Sequence, residues 1–493
     1  MIAGGGGFRV PLVYRALASG AFAGLVSELV LFDVDPARLQ AITAVLRSMP
    51  VAQDAGRRTP AVLATTSLSE ALAGTQLVFA AIRPGGTAGR IADERVAQDL
   101  GLLGQETTGA GGISYALRTI PEMLDLAQQM LEHCPDAWLI NFTNPAGIVT
   151  EALLPVLGKK VIGICDSAGG LVHRAARAAG IPLPDGKLDG VGYYGLNHLG
   201  WLYRLESGGR DLLPGLLSDP EALQSFEEGR LFPQPFLARL GALPNEYLYY
   251  YYQRESAAAA MRAMAQTRGE SIHRQQAELY PRLAAAGAGA YGMWDAARRS
   301  REEGYLAEAR AQGEQRDEDD LAGGGYERVA LAVMRALSGA HDPAGGGNVQ
   351  LILNTRNVLQ DPDAGADTGA CTGAGARAEA GTPKGAIPGL PADAVVEVPC
   401  TITPDGAVPL PQSAPAQEQL NLLRRVKDVE RLTVQAATQG DREAAVDAFA
   451  RHPLVDSAEL GAALLAAYER NFPTLRSLWR NAGASAARGR QRG

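Results

Sequence analysis

The chain has 493 residues, 46% of them hydrophobic, which excludes a largely disordered protein and allows a large buried core. Its net charge is −8 with acidic and basic residues interspersed, so we expect a small molecule, rather than nucleic acid or a membrane, as its partner. Four scattered cysteines, no secretory signal and no run of about 18 apolar residues predict a cytoplasmic protein without a disulfide framework.

Short apolar runs alternate with helical patterns through the first half of the chain. This alternation predicts an α/β fold with a Rossmann-like, doubly wound parallel sheet. We expect strands at residues 29–32, 77–82, 138–142 and 161–164, and helices at residues 10–19 and 120–132. The first strand is unusual because only three residues precede the glycines, whereas strands average about five or six. Either the presumed start codon lies too far downstream or this strand is short.

A second domain, of the α+β class, is predicted after residue 190, where the alternation fades into a helical, aromatic region. We expect a first domain at 1–190 and a second at 191–480, with strands at 349–353 and 395–402 and helices at 418–439, 441–450 and 460–470. Residues 361–385 have the composition of a flexible insertion without chemistry, and residues 481–493 that of a disordered tail.

Ligands bind beyond the carboxyl ends of the strands in an open parallel sheet, and the first strand ends in Gly4, Gly5, Gly6 and Gly7. Such a turn lets backbone N–H groups approach a pyrophosphate, although Arg9 occupies the third glycine position of the G-x-G-x-x-G pattern. Asp33, after the second strand, is placed to bind ribose hydroxyls. Alternatively, Asp33 caps the helix near Pro36 or lies in a surface turn.

Cys165 and His198 are a second pair of reactive residues. A buried cysteine is usually a small hydrophobe and a histidine among apolar residues is usually a core residue, so neither predicts a metal site alone. Asp166 beside Cys165 favours a functional site, because a buried carboxylate is costly. The alternative is that Asp166 caps the helix predicted at residues 167–179.

Five tyrosines lie between residues 247 and 252, and most of them are expected to form an aromatic stripe that packs against the sheet. One phenol facing a polar cleft can still act as a base if a cation or cofactor lowers its pKa. The segments at 104–112 and 141–147 are small-residue, polar loops suited to binding sugar hydroxyls, or they are simple turns.

A series of longer motifs resembles a known family. The motifs are IRPGG (82–86), GQETTGAGG (104–112), LRTIPEMLDLA, CPDAWLINFTNPAGIVTEAL, GICDS and GLNHLGW. Their order strongly resembles glycoside hydrolase family 4, particularly its 6-phospho-β-glucosidases. Weaker similarity at YLYYYY, 349–357, 385–399 and 432–455 extends the resemblance over nearly the whole chain.

The resemblance implies hydrolysis of 6-phospho-β-glucosides, such as phosphorylated cellobiose, with NAD and a divalent metal, usually manganese. In that family NAD removes hydride from carbon 3 of the sugar, a base removes the proton on carbon 2, and the aglycone leaves carbon 1 by elimination. Water then adds, and the hydride returns. A homodimer or homotetramer is also expected.

Carried over residue by residue, the resemblance implies that Cys165 and His198 bind the metal. Asp166 would be the general acid and Tyr247 the base, with Tyr249 and Tyr250 as alternatives for the base. The other implied roles are substrate binding by Arg90 and Asn144, NAD binding by the four glycines and Asp33, and 6-phosphate binding by Arg9 and Arg83.

Two departures from the family pattern leave alternatives open. CDSAG replaces the CNxP form common among β-specific members, and an acid at that position also occurs in α-specific ones. A 6-phospho-α-glucosidase, an α-galactosidase and an α-glucuronidase therefore remain alternatives. The short first strand bears on cofactor affinity, and an NAD-dependent sugar dehydrogenase or a non-enzymatic NAD-binding regulator would use the same glycines.

Overall fold

A computed structural model describes residues 1–19, 22–50, 59–184, 186–303, 325–339, 348–359 and 384–479. The insertion expected at 361–385 falls outside these ranges except for its last two residues, and the tail at 481–493 lies entirely outside them. Within the described ranges, none of the helices has the length and apolar character needed to cross a membrane.

The first half of the chain forms a parallel sheet, as the alternating pattern predicts. Its strands are β1 (Ile2–Ala3), β2 (Glu28–Phe32), β3 (Ala61–Thr65), β4 (Leu77–Ala80), β5 (Trp138–Asn141) and β6 (Val161–Gly163). They lie in the order β3-β2-β1-β4-β5-β6, and every neighbouring pair is parallel. The Rossmann-like, doubly wound arrangement is confirmed.

Strand β1 is short, as the sequence indicates, but it is central in the parallel sheet. Ile2 lies between Leu31 of β2 and Phe79 of β4. Met1 extends the ladder, because its carbonyl oxygen accepts from the Phe79 N–H at 2.9 Å and its amino group donates to the Leu77 carbonyl at 2.9 Å. Three residues therefore suffice to hold the start of the glycine turn between two strands.

The second half continues the same sheet with antiparallel strands. These are β7 (Val191–Leu196), β8 (Leu199–Ser207), β9 (Arg210–Asp211), β10 (Leu243–Pro244), β11 (Val349–Arg356), β12 (Val395–Thr403) and β13 (Gly406–Pro409). The order β10-β8-β7-β12-β11-β6 joins them to the parallel half. The junction is the antiparallel pairing of Asn354 in β11 with Gly163 in β6.

Helices cover both parts of the sheet. In the parallel half they are α1 (Val10–Ala18), α2 (Pro36–Ser48), α3 (Leu68–Leu72), α4 (Gly86–Asp99), α5 (Gly109–His133), α6 (Ala146–Leu157) and α7 (Ser167–Ala178). Helix α5 begins eleven residues before the predicted start at 120, so the loop expected at 104–112 is partly wrong. Its glycines permit this start, because a Cβ on Gly111 would lie 2.1 Å from the Gln105 carbonyl oxygen.

The helices that follow β8 are mostly short until α14. They are α8 (Leu213–Leu217), α9 (Pro220–Gln224), α10 (Glu227–Leu231), α11 (Gln234–Leu240), α12 (Tyr249–Tyr252), α13 (Arg254–Ala263), α14 (Arg268–Ala285), α15 (Ala290–Glu303) and α16 (Tyr326–Leu337). Helices α14 and α15 pack on α2, and α16 packs on α1. The second half therefore covers the glycine turn and the helices beside it.

Three helices close the described chain. They are α17 (Gln417–Gln439), α18 (Arg442–Arg451) and α19 (Ala458–Asn471), each within two residues of its predicted bounds. Helix α17 packs on α5 and α6, and α19 packs on α4. Their apolar faces share a core with α4 and α5 that includes Phe449 and Tyr468. The predicted amphipathic helices are confirmed.

The β7–β8 hairpin depends on glycines for its close approach. A Cβ on Gly195 would lie 2.4 Å from the Gly200 Cα atom, and one on Gly200 would lie 2.2 Å from the Tyr193 hydroxyl oxygen. We expect Gly195→Ala to reduce the free energy of unfolding by about 1–3 kcal/mol, because the strands must separate to fit the methyl group. Thermal unfolding of the purified chain measures this.

Gly215→Ala is the matched control. Gly215 is exposed in α8, and a Cβ there would meet no atom within 4 Å. Alanine in a helix is favoured over glycine by roughly 0.5–1 kcal/mol, so this variant should melt at or slightly above the parent temperature. Equal melting temperatures for the two variants would contradict the close approach at the hairpin.

Candidate active site

The glycine turn between β1 and α1 is tightly fixed. Gly4 has φ +89°, and a Cβ there would lie 2.6 Å from the Ala81 carbonyl oxygen. A Cβ on Gly5 or Gly6 would also collide with Leu31 or Arg38, at 2.7 and 2.6 Å. Only glycine fits these positions, as expected where the backbone must come close to neighbouring strands and to a ligand.

All four glycine N–H groups are bound within the protein. Those of Gly4 and Gly5 donate to the Phe32 carbonyl, that of Gly6 to an Asp33 carboxylate oxygen at 2.9 Å, and that of Gly7 to the Gly4 carbonyl. Within the described chain, the N–H groups of Phe8 and Arg9 have no such acceptor. The turn therefore offers an anion the N–H groups just after the glycines, at the start of α1.

Three aromatic side chains of the second half fix the carbonyl oxygens of the turn. Tyr280 donates to the Gly6 carbonyl at 2.9 Å, Trp294 to the Phe8 carbonyl at 2.7 Å, and Tyr326 to the Arg9 carbonyl at 2.9 Å. In a planar trans peptide the N–H points away from the carbonyl, so these bonds also fix the direction of the following N–H groups. Sequence analysis missed all three residues, because each lies more than 270 positions from its partner.

Asp33 lies at the carboxyl end of β2, where the sequence places it. One carboxylate oxygen accepts from the Gly6 N–H, and the other accepts from the Asp35 N–H at 3.1 Å. The helix cap before Pro36 is Asp35 instead, whose carboxylate accepts from the backbone of Ala37 and Arg38. Asp33 is thus held against the glycine turn with lone pairs left for ribose hydroxyls.

Beyond β4, a buried cluster of charges surrounds Arg90. Arg90 is paired with Glu94 at 2.8 Å and with Glu106 at 2.7 Å, while Arg83 is paired with Glu106 at 2.6 Å. Burial raises the pKa of Glu106, but Arg83, Arg90 and Arg268 outweigh this effect and lower it to about 2. Glu106 is therefore ionised and organises the arginines. It belongs to the GQETTGAGG motif, but its role was not predicted.

Cys165 and Asp166 follow β6 at the start of α7. Cys165 is buried, and burial, together with Glu397 and Asp166, raises the pKa of its thiol well above the ordinary value. Asp166 occupies the cap position of α7, yet its side chain makes no capping hydrogen bond. The capping alternative for Asp166 is therefore wrong, and the carboxylate is left for another partner. Asp166 is a neighbour of Arg9. Burial lowers the pKa of Arg9, and the Asp166 carboxylate raises it.

Ser167 is a common neighbour of Cys165 and of Glu246, the residue before Tyr247. Hydrogen bonding from Ser167 lowers the pKa of the Cys165 thiol and of the Glu246 carboxyl, in opposition to burial. Burial and the neighbouring Glu228 raise the pKa of Glu246 to about 8, so its protonated form is favoured at neutral pH.

Tyr247 and His198 complete the group. Tyr247 directly follows Glu246, and its ring stacks on the His198 imidazole with centroids 3.7 Å apart and planes 9° apart. Burial lowers the pKa of His198 to about 3, so the imidazole is neutral. His198 itself has φ +63° in the tight β7–β8 turn. The structure thus places Asp166 and Ser167 beside Cys165, and Tyr247 against His198.

Cys165 and His198 suit a divalent cation. A neutral imidazole keeps a lone pair for a metal, and a cation would replace the proton that burial holds on the thiol. In the residues that the structure describes, no group of three or more His, Cys, Asp or Glu residues could hold a metal. The protein's part of the site would be this pair, with the remaining positions open to substrate oxygens.

Asn144 follows β5, and Glu397 lies in β12. Asn144 donates to the Phe142 carbonyl at 3.3 Å, while its own amide oxygen is buried without a partner in the described chain. Glu397 accepts from the Tyr193 hydroxyl at 3.0 Å and from the Asn197 and Asn354 amides at 3.3 and 3.2 Å. Sequence analysis did not single out Glu397, although it lies within the matched segment at 385–399.

The chain matches two family descriptions that together cover most of its length. Residues 1–181 match family 4 glycosyl hydrolase, and residues 193–361 and 376–455 match the family 4 glycosyl hydrolase C-terminal domain. A solved structure of a Thermotoga maritima 6-phospho-β-glucosidase with NAD and glucose 6-phosphate has the same fold. Its TM-score is 0.72 at 24% identity, over 95% of this chain and 97% of that one.

Curated relatives include enzymes for both anomers. A 6-phospho-α-glucosidase of Lacticaseibacillus paracasei is 37% identical over 220 residues, 44% of this chain. This match spans about half, 48%, of that relative's length. A probable 6-phospho-β-glucosidase of Bacillus subtilis is 28% identical over 402 residues, 80% of this chain and 78% of that protein. A Thermotoga maritima 6-phospho-β-glucosidase is 25% identical over 455 residues, 92% and 93% of the two chains.

Glu397 gives a pH-dependent prediction. Burial raises its pKa from 4.5 to about 7, although its hydrogen-bond donors oppose this effect. Between pH 4.5 and 7 the folded chain keeps a proton that the unfolded chain releases, so stability falls as pH rises. Glu397→Gln mimics the protonated form and avoids this loss. The free energy of unfolding of Glu397→Gln should exceed that of the parent by a difference that grows to roughly 3 kcal/mol by pH 8.

Thermal unfolding of the chain without metal or NAD, from pH 5 to pH 8, measures the effect. Glu443→Gln, on an exposed position of α18, is the matched control and should follow the parent at every pH. A constant offset between Glu397→Gln and the parent would show that the Glu397 carboxyl does not titrate in this range.

Proposed function

The chain belongs to glycoside hydrolase family 4, and from this premise we propose that it hydrolyses the glycosidic bond of 6-phospho-glucosides, with β-linked substrates first. The observation that carries the proposal is the stacking of Tyr247 on His198, supported by Ser167 as a common neighbour of Cys165 and Glu246. A thiol, a carboxylate, a phenol and a neutral imidazole would then meet beside a turn suited to a dinucleotide.

The cofactors enter through the residues that fit them. Bound NAD would accept and return hydride at carbon 3 of the sugar, and a divalent cation such as manganese would polarise the oxygen on that carbon. Cys165 and His198 would hold the cation, and the glycine turn with Asp33 would hold the dinucleotide. Relatives whose structures contain NAD, manganese and glucose 6-phosphate support this assignment.

The two remaining residues would move protons. Tyr247 would take the proton from carbon 2, because its ring lies against the imidazole that faces the cation. Asp166 would give a proton to the leaving oxygen at carbon 1, since its carboxylate makes no capping bond in α7. Asn144 would bind a sugar hydroxyl through its unpartnered amide oxygen. Arg90, already paired with two carboxylates, would contact the substrate with its remaining N–H groups.

The preferred anomer is part of the proposal. Two relatives that align over most of this chain are a probable 6-phospho-β-glucosidase and a 6-phospho-β-glucosidase, and this supports β-linked substrates. Cleavage of 6-phospho-α-glucosides is the second candidate, favoured by Asp166 after the cysteine and by the more identical but shorter match. The first steps of elimination act on carbons 3 and 2, which are the same in both anomers. The position of the leaving oxygen on carbon 1 differs, so the acid that protonates it is the group most sensitive to the anomer.

The experiment is an activity assay with paired substrates. The chain is incubated with chromogenic 6-phospho-β- and 6-phospho-α-glucosides and their unphosphorylated forms, in the presence of NAD, manganese and a thiol reductant. We expect turnover of a phosphorylated substrate that disappears when NAD and metal are removed. Turnover that persists without them refutes the mechanism, and stoichiometric accumulation of NADH would indicate a dehydrogenase.

Asp166→Asn tests the general acid. An activated aryl leaving group needs little protonation whereas an alkyl leaving group needs a full proton, so the two substrates should respond differently. We expect the alkyl phosphoglycoside to lose about 10²- to 10⁴-fold in kcat, the usual range for this type of catalysis, and the aryl one far less. Equal losses on both substrates would remove Asp166 from this role.

Tyr247→Phe tests the base through a step that does not require bond cleavage. Exchange of the carbon 2 proton with deuterated solvent, followed by NMR on the parent and the variant, should stop when the phenol is lost. Tyr249→Phe and Tyr250→Phe are the matched controls, because both tyrosines lie in the neighbouring helix α12. Exchange that survives in Tyr247→Phe but stops in one of the controls would move the base to that residue.

A further inference from the structure

Arg301, near the end of α15, is a half-buried cation without a carboxylate partner among the described residues. Its Nη1 atom is enclosed and has no hydrogen-bond partner in the described chain. The guanidinium carbon lies 4.9 Å from the centre of the Phe8 ring, directly after the glycine turn. The backbone carbonyl of Arg301 accepts from Arg268 at 3.2 Å, so a second guanidinium is held beside it.

The groups around Arg301 repel its charge. Burial lowers the pKa of Arg301, and Arg9, Arg268 and Arg90 lower it further, to about 9. Nearby carboxylates already have other partners. Glu302 pairs with Arg298 at 2.5 Å, and Glu94 and Glu106 pair with Arg90.

A cation buried among other cations destabilises a folded protein unless something else compensates it. The chain nonetheless has a net charge of −8, so this cluster of arginines is a local exception. A ligand with negative charge would remove the repulsion and supply the missing acceptor. Phosphate is suited to this place, because guanidinium groups bind its oxygens with strong, charge-assisted hydrogen bonds.

We infer that Arg301 is a receptor for a phosphate group bound beside the glycine turn, and that it acts with Arg268 and Arg9. The inference deepens the proposed function and rests on it for the source of the phosphate. The two possible sources are the pyrophosphate of NAD and the 6-phosphate of the sugar. It adds two arginines, Arg268 of α14 and Arg301 of α15, to the Arg9 and Arg83 expected from sequence. Arg83 is the least available of these, because Glu106 already binds it.

Binding measurements on the full-length chain test the inference without requiring turnover. Isothermal titration calorimetry with NAD, inorganic pyrophosphate, glucose 6-phosphate and glucose compares the parent with Arg301→Met and Arg301→Lys. Methionine keeps the packing against Phe8 and removes the charge. We expect Arg301→Met to weaken at least one phosphate ligand by roughly tenfold to a hundredfold, as for loss of a charged hydrogen bond. Glucose binding should be unaffected, and Arg301→Lys should recover part of the loss.

The two sources are separated by which ligand loses affinity. A loss confined to NAD and pyrophosphate assigns Arg301 to the cofactor, and a loss confined to glucose 6-phosphate assigns it to the sugar. Arg299→Met is the matched control, because the Arg299 side chain on the same helix is 74% exposed and pairs with Asp295. Unchanged affinity for all phosphate ligands would overturn the inference, even if the glycosidase activity is demonstrated.

Melting temperatures without ligand separate this role from a structural one. If like charges strain the site, the Arg301→Met variant should melt at the same temperature as the parent or at a higher one, because the substitution removes the repulsion. A lower melting temperature combined with unchanged phosphate binding would identify Arg301 as a structural residue. Loss of phosphate binding with full thermal stability would support the receptor even if the chain proves to have no glycosidase activity.

Discussion

The hydrogen-bonded junction between β6 and β11 is the interaction on which the site depends. Asn354 pairs with Gly163, and a Cβ on Gly163 would lie 2.8 Å from the Asn354 Cβ and 2.4 Å from the Thr150 hydroxyl. The Asn354 amide continues to Glu397, which also binds Asn197, the residue before His198. A line of polar contacts thus runs from the strand that ends before Cys165 to the turn that carries His198.

The charge states of the site follow from burial. His198 is neutral and Glu246 is protonated because water is excluded, whereas Glu106 stays ionised because arginines surround it. Burial therefore raises the pKa of the acid Glu246 and lowers the pKa of the base His198, so that both groups are neutral. A divalent cation bound by Cys165 and His198 would have half of its charge compensated by the thiolate that it creates. Before binding, the pair carries no net charge and needs no counter-ion.

The sequence allowed much of the fold and the group of site residues to be predicted, since strand ends carry the chemistry in a parallel sheet. Strand β3 (Ala61–Thr65) was not predicted although AVLA is a continuous apolar run; it is a largely exposed strand at the edge of the sheet. Helix α5 was predicted too short because its glycines resemble a loop. Tyr280, Trp294, Tyr326 and Arg301 could not be found, since contacts across hundreds of residues leave no local pattern. The roles of Cys165, Asp166, Tyr247 and His198 came from the family resemblance, and the structure adds the stacking of Tyr247 on His198.

The two halves of the chain contribute different parts of one site. The parallel half supplies the ends of strands, with the glycine turn, Asp33 and Cys165. The second half supplies the surfaces that orient them, because Tyr280, Trp294 and Tyr326 bind the carbonyl oxygens of the turn. The direction of the free Arg9 N–H is therefore set by Trp294 of α15, while α14 and α16 fix neighbouring peptides of the turn. Since α15 also carries Arg301, the same helix that orients the turn places a positive charge beside it, and the dinucleotide and substrate regions cannot be regarded as independent modules.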